Sequence, residues 1–136
     1  MSSETAESQN AVLYRLLKAL SQVDCPLIRE LATEDIKITI PGARDLDITL
    51  NSSGQDALCD WSKTVQDLCG DLAFAMHRYF ENGCEMMAIG TFSIQRIPRV
   101  FHADCAVHVT FEQGKASSFK LLFDSYALDK FRGQMD

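Results

Sequence analysis

Residues 72–94 read LAFAMHRYFENGCEMMAIGTFSI. Asn82-Gly83 lies between two runs of strand-forming residues, 72–80 and 85–94, and a dipeptide of this kind between such runs is the strongest short hairpin signal. A two-residue turn at Asn82-Gly83 predicts the cross-strand pairs: Tyr79 opposite Met86, His77 opposite Ala88, Ala75 opposite Gly90, and Ala73 opposite Phe92. One face then carries Ala73, Ala75, His77, Tyr79, Met86, Ala88, Gly90 and Phe92. The other carries Phe74, Met76, Arg78, Met87, Ile89 and Thr91. Both faces are apolar enough to need cover, by helices on one side and by a second copy of the chain on the other. This predicts a homodimer through the outer sheet face. Four small residues on the first face, Ala73, Ala75, Ala88 and Gly90, leave room for a concave small-molecule site. His77 and Tyr79 are its expected polar groups.

Working outward, a turn at 95–99 leads into a long strand at 100–111. Glu112-Gln113-Gly114 joins that strand to a last one at 115–123. A three-residue loop with Gly114 left-handed sets Val107 opposite Phe119 and Cys105 opposite Leu121, apolar against apolar. His102, Asp104, His108 and Thr110 then face outward. Asp124 caps a final helix carrying Leu128 and Phe131.

Upstream, Leu13, Leu16, Leu17 and Leu20 recur at helical spacing, with Thr5, Ser8 and Asn10 as alternative caps. Asp24 before Cys25-Pro26 opens a second helix. Ile36, Ile38 and Ile40 alternate as a half-buried strand ending at Pro41-Gly42, and Leu46, Ile48 and Leu50 alternate again. Ser53-Gly54-Gln55-Asp56 has capping-box spacing before a third helix, whose apolar face is Leu58, Trp61, Val65 and Leu68. The order α-α-β-(β)-α-β-β-β-β-α predicts an α+β domain.

The chain has 136 residues, so one domain is expected, over 11–136, behind a disordered start at 1–10. A net charge of −6 without a basic cluster argues against nucleic acid as a partner. No apolar run is long enough to span a bilayer, so no membrane partner is expected. The five cysteines, Cys25, Cys59, Cys69, Cys84 and Cys105, form no C-x-x-C pair. We read them as reduced and the protein as cytoplasmic.

Several stretches resemble SnoaL-like proteins. They are Leu20-Ser21-Gln22-Val23-Asp24, then Leu31-Ala32-Thr33-Glu34-Asp35, then Gly54-Gln55-Asp56-Ala57-Leu58 ahead of Trp61. His77-Arg78 before Asn82-Gly83, Gly90-Thr91-Phe92, and the ending from Phe111 to Asp124 are similar as well. The resemblance runs from about residue 10 to 132. It is to the ketosteroid-isomerase-like and SnoaL-like superfamily, whose fold is that of nuclear transport factor two. It implies a cone-shaped barrel of a strongly bent, mostly antiparallel sheet around three helices, with an internal cavity. It also implies dimerisation through the outer sheet face.

The chemistry of ketosteroid isomerase uses a carboxylate base with a tyrosine and a protonated aspartate in an apolar site. By motif, the tyrosine position falls on Leu16, the base on Ile40 and the strand acid near Val107. The acid of SnoaL-like cyclases falls on Leu121. All four are apolar here, so the resemblance leaves them as cavity wall. Trp61, Ala75, Ala88, Phe92, Cys105 and Phe119 complete the expected substrate-binding wall.

His77 is the candidate general acid/base, because histidine titrates near neutral pH. The plainer reading is a hydrogen-bonded sheet histidine. Tyr79 and Tyr14 are candidate donors to a developing oxyanion, against the plainer reading of core or rim aromatics. Arg96 and Arg99, or a lid bearing Arg44, Asp45 and Asp47, are candidate contacts for an anion. No metal and no cofactor is implied. The expected activity is a cofactor-independent isomerase or cyclase acting on a small apolar carbonyl compound, such as a polyketide or terpenoid intermediate. The alternative is a non-catalytic small-molecule carrier or dimeric assembly module.

Overall fold

The computed structural model describes residues 8–41 and 50–133. The expected disordered start falls largely on residues 1–7, and the expected lid and the strand residues Leu46 and Ile48 fall on 42–49. Both lie outside the described residues.

Helix α1 (Gln9–Gln22) starts on Ser8, whose hydroxyl accepts from the Ala11 amide at 3.1 Å. Its stripe of Leu13, Leu16 and Leu20 is fully buried, each side chain contributing roughly 1.5–3 kcal/mol. Helix α2 (Cys25–Leu31) is capped by Asp24, which accepts from the Leu27 amide at 3.2 Å. Strand β1 (Ala32–Ile40) buries Ile36, Ile38 and Ile40, and β2 (Leu50–Ser53) pairs with it antiparallel.

Helix α3 (Gln55–Leu68) departs from the capping-box expectation: Gly54 is the cap, and no side chain bonds there. Gln55 instead donates to the carbonyls of Arg29 and Ala32, tying the start of α3 to the end of α2. The buried Ser62 hydroxyl donates to the Leu20 carbonyl and joins α3 to α1.

Strands β3 (Asp71–Asn82), β4 (Glu85–Arg96), β5 (Arg99–Glu112) and β6 (Lys115–Phe123) follow, and α4 (Ser125–Gly133) closes the chain on its Asp124 cap. The six strands form one sheet in the order β2-β1-β6-β5-β4-β3. The β1–β6 pair is parallel and the other neighbours are antiparallel. Among the described residues the edges β2 and β3 do not pair, so the α+β sheet is open where a barrel was expected.

Cys25 and Cys59 form a disulfide between α2 and α3, with Cα atoms 5.6 Å apart. This corrects the reading of five reduced cysteines. The pair is 34 residues apart in sequence, and only the crossing of the two helices brings it together. Cys84 and Cys105 are free thiols. Among the described residues no helix is long and apolar enough to cross a membrane.

Both hairpins differ from their expected registers. In the first, Asn82 pairs with Glu85, so the turn residues are Gly83 and Cys84, with Gly83 at φ 62°. Beyond Arg78 the register shifts at a β-bulge: Tyr79 opposes Ala88, but Met76 opposes Gly90 and Phe74 opposes Phe92. The inserted residue reverses the faces of the first half of β3. Leu72, Phe74 and Met76 therefore share the inner face with Gly90, Phe92 and Ile94, and Ala73 and Ala75 turn outward.

In the second hairpin, Gln113 and Gly114 form a two-residue turn, at φ 53° and 82°. A bulge beside Phe111 then restores parity, so Val107 faces Leu121 and Cys105 faces Phe123. The expected partners are displaced by two residues, and the expected faces stand.

Candidate functional site

The interior of the fold is where the substrate-binding wall was expected. Leu16, Ile40, Val107 and Leu121 are 0–1% exposed and belong to one packed core. Ala88, Phe92, Trp61, Cys105 and Phe119 are buried in the same core. Phe92 packs against the rings of Phe74, Phe101 and Phe123 at 5.4, 6.4 and 4.8 Å.

Two polar atoms are notable there. The Trp61 Nε1 is buried without a hydrogen-bond partner among the described residues. The Cys105 thiol is pushed up to about 11, first by burial and then by the neighbouring Asp104 carboxylate. It is a neutral thiol across the physiological range.

His77 does not face this interior. It sits in the β3 bulge, exposed, with Nε2 3.4 Å from the Thr91 hydroxyl. Thr91 opposes Ala75 and Asp104 on the outward side of the sheet. The bulge therefore separates His77 from Tyr79, which two-residue alternation had placed on one face. The expectation that the two share a cavity wall is corrected.

Tyr79 shares a cleft with Tyr14 instead. Helix α1 runs alongside edge strand β3, with the Gln9 amide donating to the Gly83 carbonyl at 3.0 Å. Between them lies a cleft of about 350 Å³. Tyr14, Leu17, Lys18 and Ser21 line it from α1; Ala73, Phe74, Ala75, Met76 and Tyr79 line it from β3. Ala75, expected on the inner wall, reaches this cleft from the outward set. None of Leu16, Ile40, Trp61, Val107 or Leu121 lines it.

Sequence reasoning missed Lys18, Leu17, Ser21, Phe74 and Met76 at this place. A signal was present: 14, 17, 18 and 21 are themselves spaced i, i+3, i+4, i+7, one stripe beside the leucines. The β3 half of the cleft had no such signal, because the bulge decides it.

The outer sheet face carries an apolar patch. Ile89, Ala106 and Leu122 stand in one row across β4, β5 and β6, and Phe80 and Met87 stand in the next. Phe80, Ile89 and Leu122 are 50%, 39% and 44% exposed. Arg78, Asp104, His108 and Lys120 border the patch in register, and His108 Nε2 lies 2.9 Å from the Glu85 carboxylate.

The remaining candidates have structural partners. Arg96 donates to the Gln66 and Asp67 carbonyls at 3.3 and 2.9 Å, closing the C-terminus of α3. Arg99 stacks over the Phe131 ring at 5.8 Å. Among the described residues no three His, Cys, Asp or Glu side chains converge as metal ligands.

No protein-family model matches the sequence, and no curated protein matches it. Solved structures do match it. An NTF2-like protein of unknown function from Burkholderia pseudomallei K96243 superposes with a TM-score of 0.80 at 20% identity, over 92% of this chain and 98% of that one. TerC, co-crystallised with polyporic acid, superposes at 0.81 with 16% identity, over 92% and 98%. A protein of ketosteroid-isomerase-like fold from Catenulispora acidiphila DSM 44928, in complex with trimethylamine, does so at 0.74 with 10% identity, over 90% and 92%. The chain therefore has the NTF2-like fold, the α+β cone also seen in ketosteroid-isomerase-like proteins.

Proposed function

We propose that this protein is a non-catalytic homodimeric module, joined to its second copy through the outer sheet face. One observation carries the reading: Phe80, Met87, Ile89, Ala106 and Leu122 form a continuous apolar patch across four strands, bordered by charges of both signs. An apolar centre with a polar rim is the anatomy of a protein interface. A two-fold pairing sets the same patch against itself, which suits a surface carrying its own complementary charges. The apolar interior supports the reading too, because the resemblance carries the acid and base positions of ketosteroid isomerase onto or near Leu16, Ile40 and Val107, which are buried and apolar.

Analytical ultracentrifugation at micromolar concentration tests the dimer. The wild type should sediment as a dimer, and Ile89→Glu or Leu122→Glu should sediment as a folded monomer. A wild-type monomer would overturn the proposal.

A second reading has one observation in its favour. Tyr14 and Tyr79 line the same cleft, and phenol donors can hold a developing oxyanion. On that reading the protein is an isomerase or cyclase of a small carbonyl compound. Failure to convert any member of a polyketide and terpenoid panel would count against it. The cytoplasm is proposed as its location from the free thiols of Cys84 and Cys105, and the Cys25–Cys59 bridge weighs the other way.

A further inference from the structure

We propose that the cleft between α1 and β3 binds an amphipathic organic anion: a planar apolar body bearing a carboxylate or an equally acidic oxygen. The proposal does not depend on the dimer.

Shape limits the ligand first. At about 350 Å³ the cleft is within the range of small-ligand sites and is short for an extended peptide. Its floor is Leu17, Phe74 and Met76, of which Leu17 is buried and the other two are half-buried. A flat hydrocarbon body gains from covering such a floor, and a small inorganic anion does not. Met76 adds a polarisable sulfur that favours aromatic edges.

Charge fixes the sign of the ligand. Among the described residues Lys18 is the one charged side chain lining the cleft, and no carboxylate there pairs with it. An ammonium over an apolar floor attracts an anion and repels a cation, and its charge is least screened where the ligand excludes water.

Hydrogen bonding orients the ligand. The Ser21 hydroxyl donates to the Lys18 carbonyl at 2.8 Å, which spends its proton and leaves its lone pairs for a ligand hydroxyl. The phenols of Tyr14 and Tyr79 have no hydrogen-bond partner among the described residues, so both remain available to ligand oxygens. Tyr14 is 59% exposed and Tyr79 37% exposed, which places them at the mouth, with the apolar floor behind.

The test uses 2-naphthoate and its neutral isostere 2-naphthamide, titrated into the full chain and followed by calorimetry and amide chemical shifts. Naphthoate should bind at least tenfold more tightly than the amide, with shifts centred on residues 14–21 and 73–79. Lys18→Met should weaken naphthoate at least tenfold and leave the amide within threefold. Lys18→Arg should restore binding to within about threefold of wild type. Lys18 is exposed, so an unchanged melting curve shows that each variant is folded. Equal affinity for acid and amide, indifference to Lys18→Met, shifts centred elsewhere, or no binding of either probe at millimolar concentration would each overturn the proposal.

Discussion

Cys105 shows how one side chain links burial to pH. Its apolar neighbours in Ala103–Val109 predict a small buried hydrophobe, and the structure leaves it 5% exposed. Its ionisation, at about 11 against an ordinary 9.0, means the folded state keeps a proton that the unfolded state releases earlier. The stabilisation is complete below pH 9 and is lost as pH rises through about 11. Urea midpoints measured from pH 8 to 11 should therefore fall more steeply in the wild type than in Cys105→Ala. Equal slopes would show that the thiol carries no such linkage. Cys25 and Cys59 were not legible in the same way. Their local sequence resembles that of any buried thiol, and their partnership exists only because α2 crosses α3.

At the scale of elements, order and type were largely legible and register was not. Helices α1 and α2 announce themselves by a repeating apolar stripe and an oxygen-bearing cap, and Ser8 and Asp24 make those bonds. The β3–β4 hairpin announces its turn region but not its bulge. A slip is detectable when one face is polar, and here Phe74 and Met76 alternate with alanines that suit either side. The misplacement of Ala73, Ala75 and His77 follows from that ambiguity. Gly90 illustrates the outcome. Its smallness reads as spare volume, yet a Cβ added there would overlap the Ala75 carbonyl and the Met76 Cα. Gly90→Ala should cost about 1–3 kcal/mol or more, because backbone cannot yield as a side-chain tip can. A chemical-denaturation midpoint within error of wild type would show that the hairpin is looser than its packing implies.

For the whole molecule, the cone-like architecture was legible through the family resemblance, and the state of its interior was not. Filling depends on which large side chains turn inward, and the bulge sends Phe74 in to meet Phe92. The helical layer is further held by the Cys25–Cys59 bridge. Closing a loop of 34 residues restrains the unfolded chain by about 4 kcal/mol on the chain-entropy account. Reduction with dithiothreitol, or Cys25→Ser with Cys59→Ser, should lower the melting temperature by several degrees without loss of helical circular dichroism at 20 °C. A melting curve indifferent to reductant would show that the bridge adds nothing to stability.

The inserted residue in β3 also bears on how this chain can change over evolution. Substitutions along the strand alter one contact at a time, but a regular ladder through the same residues, with His77 paired and no bulge, inverts everything upstream of it. Ala73 and Ala75 would then look inward and Phe74 and Met76 outward. A chain that loses His77 alone keeps Met76 opposite Gly90 and Phe74 opposite Phe92, so its faces and its cleft survive the deletion.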